Sequence, residues 1–101
     1  MPNRDQSIKA DDGKVRLELI TPDTLLSLGR VLTFGAAKYS AYSWRKVSRG
    51  RYIGALLRHL MAYMADPNSV DAESGLRHSE HLLCNAMFLN DEKIREQEES
   101  I

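Results

Sequence analysis

Residues 51–65 read RYIGALLRHLMAYMA, and their spacing decides the fold. Ile53, Leu56, Leu57, Leu60, Met61 and Met64 recur every three or four residues, which is the period of an α-helix with one apolar stripe. Arg58 and His59 fall on opposite flanks of that stripe, where a polar head can reach a cleft while its stem packs. Asp66-Pro67-Asn68 then ends the helix. Upstream, Thr21-Pro22-Asp23 is a helix start: Thr caps, Pro is preset for the first helical position, and an early Asp suits the positive end of the dipole. From there Leu25, Leu28, Leu32, Gly35, Ala36 and Tyr39 form a second stripe ending near Ser40. Downstream, a third helix runs from about Leu76, with Leu82, Leu83, Ala86, Phe88, Leu89 and Ile94 on its apolar side. Lys14 to Ile20 alternates charged and apolar residues and reads as a short extended lead-in. The class is therefore all-α, a small bundle of three main helices. Apolar residues cover so wide an arc of the second helix that a monomer would leave them wet, so a homo-oligomer is expected to complete the bundle.

A chain of 101 residues holds one domain. Residues 1–13 read as a mobile polar arm, 14–90 as the helical domain and 91–101 as an acidic, solvated tail. With 43% hydrophobic and 28% charged residues, and no apolar run near the roughly 18 that a span requires, membrane insertion is not expected. The first residues lack the apolar core of a signal peptide, and the lone Cys84 has no partner for an internal disulfide. A reducing cytoplasm is the expected compartment.

Formal charge is zero, yet its sign is sorted along the chain. Between Asp23 and Asp66 no acidic residue occurs, while Arg30, Lys38, Arg45, Lys46, Arg49, Arg51 and Arg58 all do. After Asp66 the bias reverses. The basic middle asks for an anion, which is either a ligand or the acidic end of the same chain or of a second subunit. Within it, the connector from Ser40 to Gly50 interleaves Tyr42 and Trp44 with Arg45, Lys46 and Arg49. Rings stack on bases and guanidinium groups fork onto phosphates, so this segment suits a nucleotide; the alternative is that Trp44 plugs one end of a small core.

The chemistry concentrates in residues 71–85, DAESGLRHSEHLLCN. On a helical wheel His78, His81 and Asn85 share a stripe that continues into Phe88 and Leu89. Polar groups on the inward side of a helix require a partner, whether metal, anion or hydrogen-bonded network. The HxxH spacing sets two imidazoles one turn apart, and Asp71 or Glu73 can complete a mixed nitrogen and oxygen shell, making Asp71, Glu73, His78 and His81 the candidate metal ligands. Glu80 reads as a solvated charge and Cys84 as a plain thiol off the histidine stripe. No GxSxG elbow, Walker loop or GxGxxG turn occurs, and a neutral chain without a recognition-helix pair does not suit duplex DNA. A small anionic ligand remains.

Taken in order, KVRLELITPDTLLSLGRVLTFGAAKY, SW, RYIGALLRHLMAYMADP and DAESGLRHSEHLLCNAMFL resemble the phage dATP/dGTP diphosphohydrolase family, placed among the MazG-like all-α nucleotide pyrophosphatases. The resemblance implies an oligomer that cleaves a purine deoxynucleoside triphosphate to monophosphate and pyrophosphate with a divalent metal, magnesium or manganese, in the host cytoplasm if phage-encoded. Lys38, Tyr39, Trp44, Arg58, His59, Asp71, Glu73, His78, His81 and Asn85 carry the family-like motifs; of these we read His59, Glu73, His78 and His81 as candidate catalytic residues, and Lys38, Tyr39, Trp44, Arg58 and Asn85, with Arg45 from the connector, as nucleotide-binding. The wider superfamily binds magnesium through ExxE and ExxD on successive helices, whereas the second helix here has no acidic residue. Imidazole donors favour a metal other than magnesium, or none. The rival class shares the pocket without turnover: a small helical protein that sequesters a nucleotide, including a host signalling nucleotide. A third class makes the His78, His81 and Asn85 stripe a subunit interface.

Overall fold

The computed structural model describes residues 13–99. The expected arm over residues 1–13 lies outside the described residues except for Gly13. Three helices account for most of the described chain: α1 (Pro22–Lys38), α2 (Arg49–Ala65) and α3 (His78–Glu99). The all-α class stands, and among the described residues the only β-type pairing is one isolated bridge between Val70 and Arg77.

Helix α1 begins where its sequence dictates. The Thr21 hydroxyl accepts the Thr24 amide at 3.2 Å, Pro22 occupies the first turn, and the helix closes when the Tyr39 amide donates to the Gly35 carbonyl. The lead-in differs from expectation. Leu17–Leu19 form a single 3-10 turn, braced by an Arg16 to Glu18 ion pair at 2.9 Å, and among the described residues no strand lies beside it to pair with an extended segment.

Helix α3 is the central element. It packs along α2 and, more sparsely, against α1, whereas α1 and α2 barely touch. A cleft therefore opens between α1 and α2, floored by α3. Central placement also fixes which face of α3 turns inward. Cys84 is fully buried and Asn85 nearly so, with half-buried His81 and Phe88 on the same line, while Leu83 and Ile94, expected on the apolar side, are 36% and 47% exposed. The wheel was correct about His81, Asn85 and Phe88 and rotated with respect to Leu83, Ala86 and Ile94. From α1 only Val31 is buried.

The acidic tail is not free. Asp91, Glu92 and Glu96 continue α3 as ordered turns, and Arg49 reaches across to Glu92 at 2.9 Å and to Glu96 at 2.5 Å, with Arg45 facing Asp91 at 3.8 Å. Much of the basic middle thus meets the acidic end of the same chain. Glu80 is likewise not solvated. Its Oε1 accepts the Arg77 amide at 3.2 Å, one half of a capping box at the start of α3, and its buried Oε2 faces Arg30 at 3.6 Å. Leu25 and Leu26 on α1 are exposed, as are Ile53, Leu57, Met61 and Met64 on α2, the helix whose wide apolar arc raised the expectation of a second subunit.

Candidate functional site

The loop from Ser69 to His78 folds back on itself, and this closure sets the site. The Asp71 amide donates to the Leu76 carbonyl at 2.7 Å, the Gly75 amide to the Asp71 carbonyl at 2.8 Å, and the His78 amide to the Ser69 carbonyl at 3.1 Å. Gly75 sits at φ +73°, a conformation costly for residues with a Cβ. At the turn, Asp71 Oδ1 accepts the amides of Glu73 and Ser74 at 3.0 and 2.9 Å. Burial opposes ionisation of Asp71, but the Ser74 amide, the His81 ring and the Glu73 amide together hold its carboxyl below the usual range.

Three imidazoles gather beneath this loop. His59 from α2 places its Nδ1 2.8 Å from the Nδ1 of His78, and its ring stacks on that of His81 with centroids 4.7 Å apart and planes 11° apart. His81 Nε2 meets the Ser74 hydroxyl at 2.6 Å. Burial, followed by the neighbouring rings, lowers the pKa of His59. For His81 burial again dominates, partly offset by the Asp71 charge, and the net direction is also down. Both rings therefore favour the neutral form, which accepts a proton or ligates a metal. His59, Asp71 and His78 offer ligand atoms that all lie within 4.8 Å of one another. Glu73 turns instead to the Lys38 ammonium, a contact that raises the lysine pKa.

The cleft above these groups measures about 1090 Å³ and is lined by residues from all three helices. Lys38, Tyr39, Trp44, Arg58, His59, Asp71, Glu73, His81 and Asn85 all border it, bringing nine of the residues singled out in the sequence to one cavity. Two do not line it. Arg45 borders a second hollow beside Arg49 and Glu92, and His78 lies behind His59. Trp44 does both jobs the sequence left open: its ring stacks on Phe88 at 4.7 Å, its carbonyl accepts the Tyr52 hydroxyl, and it still forms part of the cleft wall. Burial pushes the Tyr52 phenol up to about 12. Asn85 donates its Nδ2 to the His81 carbonyl at 2.8 Å.

Three contributors were not singled out. Ser74 orients His81, and Arg51 adds a cation to the wall. Tyr42, read only as part of the connector, lines the cleft at φ +63°, a left-handed conformation unusual for an aromatic residue, with the Arg45 guanidinium 5.0 Å over its ring. The run of Tyr and basic residues was the available signal for Arg51 and Tyr42; nothing local marked Ser74.

With this geometry in hand, residues 4–100 match the family model described as dATP/dGTP diphosphohydrolase, N-terminal. The chain belongs to that family. A relative from Salmonella phage PMBT28, named dATP/dGTP diphosphohydrolase, is 35% identical over 82 residues, covering 81% of this chain and 28% of its own length. The chain thus spans a little over a quarter of that relative. No solved structure gives a significant match. Among the described residues of this family member, no helix is long and apolar enough to cross a membrane.

Proposed function

We propose that this chain is a nucleotide diphosphohydrolase domain whose cleft binds a purine deoxynucleoside triphosphate and releases the monophosphate and pyrophosphate. The observation that carries the reading is the composition of one cavity: the cations Lys38, Arg51 and Arg58, the rings Tyr39, Tyr42 and Trp44, and the neutral His81 beside Asp71 all border it. Its volume of about 1090 Å³ is slightly above the roughly 300–1,000 Å³ usual for small-molecule sites, enough for a base, sugar and phosphate chain. The name of the phage relative supports the same ligand class.

In this reading Tyr39 and Tyr42, 69% and 66% exposed, take the base, while Trp44 is packed against Phe88 and forms the wall beside them. Arg58 forks onto phosphate oxygens, and Lys38 exchanges Glu73 for phosphate. Water attacks the α-phosphorus, the bond to the bridging oxygen breaks, and pyrophosphate departs. His81, neutral and held by Ser74, takes the proton from water, while Arg58 and Lys38 steady the developing charge.

The test is ion-exchange separation of a nucleoside triphosphate panel after incubation with the protein and manganese or magnesium. Purine monophosphate and pyrophosphate are expected, reduced by Arg58→Ala and by His81→Ala. An intact panel would refute hydrolysis. Nucleotide released on denaturing the purified protein would then favour the sequestering alternative, which the same cleft accommodates because Lys38 occupies Glu73, one of its two acids.

A further inference from the structure

We propose that His59, Asp71 and His78 form a binding site for one divalent transition-metal ion of the manganese, iron, cobalt and zinc class, in preference to magnesium. The set differs from the one suggested by sequence: His59 enters from a different helix, while Glu73 and His81 are engaged elsewhere by Lys38 and Ser74. The inference rests on the reading of the cleft as a nucleotide site, since the ion would lie at its base.

Four observations converge. The two rings meet through the same atom, Nδ1 to Nδ1 at 2.8 Å, and loss of the single proton they share leaves both nitrogens as donors to one ion. Two nitrogens on a single ion, each at about 2.0–2.1 Å, stand roughly 3.0–3.4 Å apart for octahedral to tetrahedral angles. Opening the pair by a few tenths of an ångström therefore seats an ion. A carboxylate oxygen of Asp71 and one ring nitrogen from each histidine all lie within 4.8 Å of one another, and the Glu73 and Ser74 amides hold that carboxylate in place, as outer-shell donors do for metal ligands. Finally, the three donors come from α2, the 69–78 loop and the first turn of α3, so an ion would clamp the three together at the end of the α2–α3 pair away from the Arg49 ion pairs to Glu92 and Glu96.

Donor chemistry selects the ion. Magnesium prefers an all-oxygen octahedron and retains its waters, whereas two imidazoles with one carboxylate suit borderline first-row metals. Three protein donors also leave at least one position for water or a phosphate oxygen. When bound, such an ion supplies charge neutralisation and an acidified water.

The experiment titrates cobalt(II) into the chelator-treated chain without nucleotide, following visible absorption bands and metal content, and follows zinc binding through the ring ¹⁵N resonances. One ion per chain is expected, displaced by zinc and not by a 1,000-fold excess of magnesium. The Nδ1 resonances of His59 and His78 should move most. His59→Gln, His78→Gln and Asp71→Asn should each weaken cobalt binding at least about 10-fold while helical circular dichroism is retained. Failure to bind cobalt, equal competition by magnesium, or zinc shifts centred on His81 would overturn the proposal. Because the wild-type resonances carry the assignment, a variant that fails to fold does not decide the outcome. Nucleotide binding measured separately in chelator distinguishes the two readings: Arg58-dependent binding there, with no cobalt site, removes the metal and leaves the nucleotide cleft standing.

Discussion

Replacing Arg58 with alanine should weaken nucleotide binding more than replacing Lys38, although both cations border the same cleft. Arg58 projects from the flank of α2, with Nη1 positioned over Gly54, where an added Cβ would lie 3.3 Å from it. Among the described residues no ion pair holds this guanidinium, so phosphate contact displaces only water. A hydrogen bond between charged groups contributes about 1.5–3 kcal/mol, which converts to a loss of about 10- to 150-fold in affinity on removal. Lys38 starts from a different state, because its ammonium already contacts Glu73 and must surrender that carboxylate when phosphate arrives. Its net gain, and so the loss in Lys38→Ala, is smaller. Calorimetry with a non-hydrolysable purine nucleoside triphosphate at two ionic strengths measures both variants. Arg58→Lys should fall between, retaining charge without the fork, and Arg58→Ala should flatten the salt dependence. Wild-type affinity in Arg58→Ala, or a larger loss in Lys38→Ala, would refute the reasoning.

Val31 is the buried anchor of α1, and Val31→Ala removes the equivalent of two methylenes from that contact, costing about 1–2 kcal/mol and lowering Tm by about 4–16 °C; an unchanged Tm in calorimetry would show α1 held by something else. Folded His59 and His81 have pKa values below their ordinary value, so above about pH 6.5 both states are neutral and their stabilising balance is fully present, and it is lost as pH falls from there toward the folded values. The urea midpoint should therefore drop between pH 7.5 and 5.5, and a His59→Asn/His81→Gln double variant should show a shallower drop; a parallel drop would count against this assignment. Burial pushes the Cys84 thiol up to about 12, so a thiol reagent at pH 8 should label it only under unfolding conditions, and rapid labelling of the folded chain would contradict the central position of α3.

Local signals made the helices legible. Thr21-Pro22 caps and starts α1 through groups within four residues, and the stripe from Ile53 to Met64 needs only the helical period to be recognised. Arg58, His59 and His81 were legible for a related reason, because polar groups on the flanks and inner edges of amphipathic helices point to shared space, whereas Lys38 and Asp71 were marked by charge and by the family-like motifs around them. What stayed hidden depends on how helices cross. Arg49 with Glu92 and Glu96, and Lys38 with Glu73, are partners across 35 to 47 residues, and no periodicity reports such pairing. The inner face of α3 was misread at Leu83 and Ile94 because a wheel orders residues around one axis without saying that two neighbours flank it. Glu80 was read as solvated for the same reason: its role is to cap α3 and face Arg30 on α1. The exclusion of Glu73 and His81 from the His59, Asp71 and His78 grouping followed from Lys38 and Ser74, whose contacts only the folded loop creates.

Whether one cleft between α1 and α2, floored by α3, holds the nucleotide is read residue by residue from backbone amide NMR of the chain during titration with a purine deoxynucleoside triphosphate analogue. Saturable shifts concentrated on Lys38 to Trp44, Arg51 to His59 and Asp71 to Asn85 are expected, with saturation moved to about 10- to 150-fold higher ligand in Arg58→Ala. Shifts centred on Arg49, Glu92 and Glu96, or no saturable shifts at all, would contradict a nucleotide in that cleft.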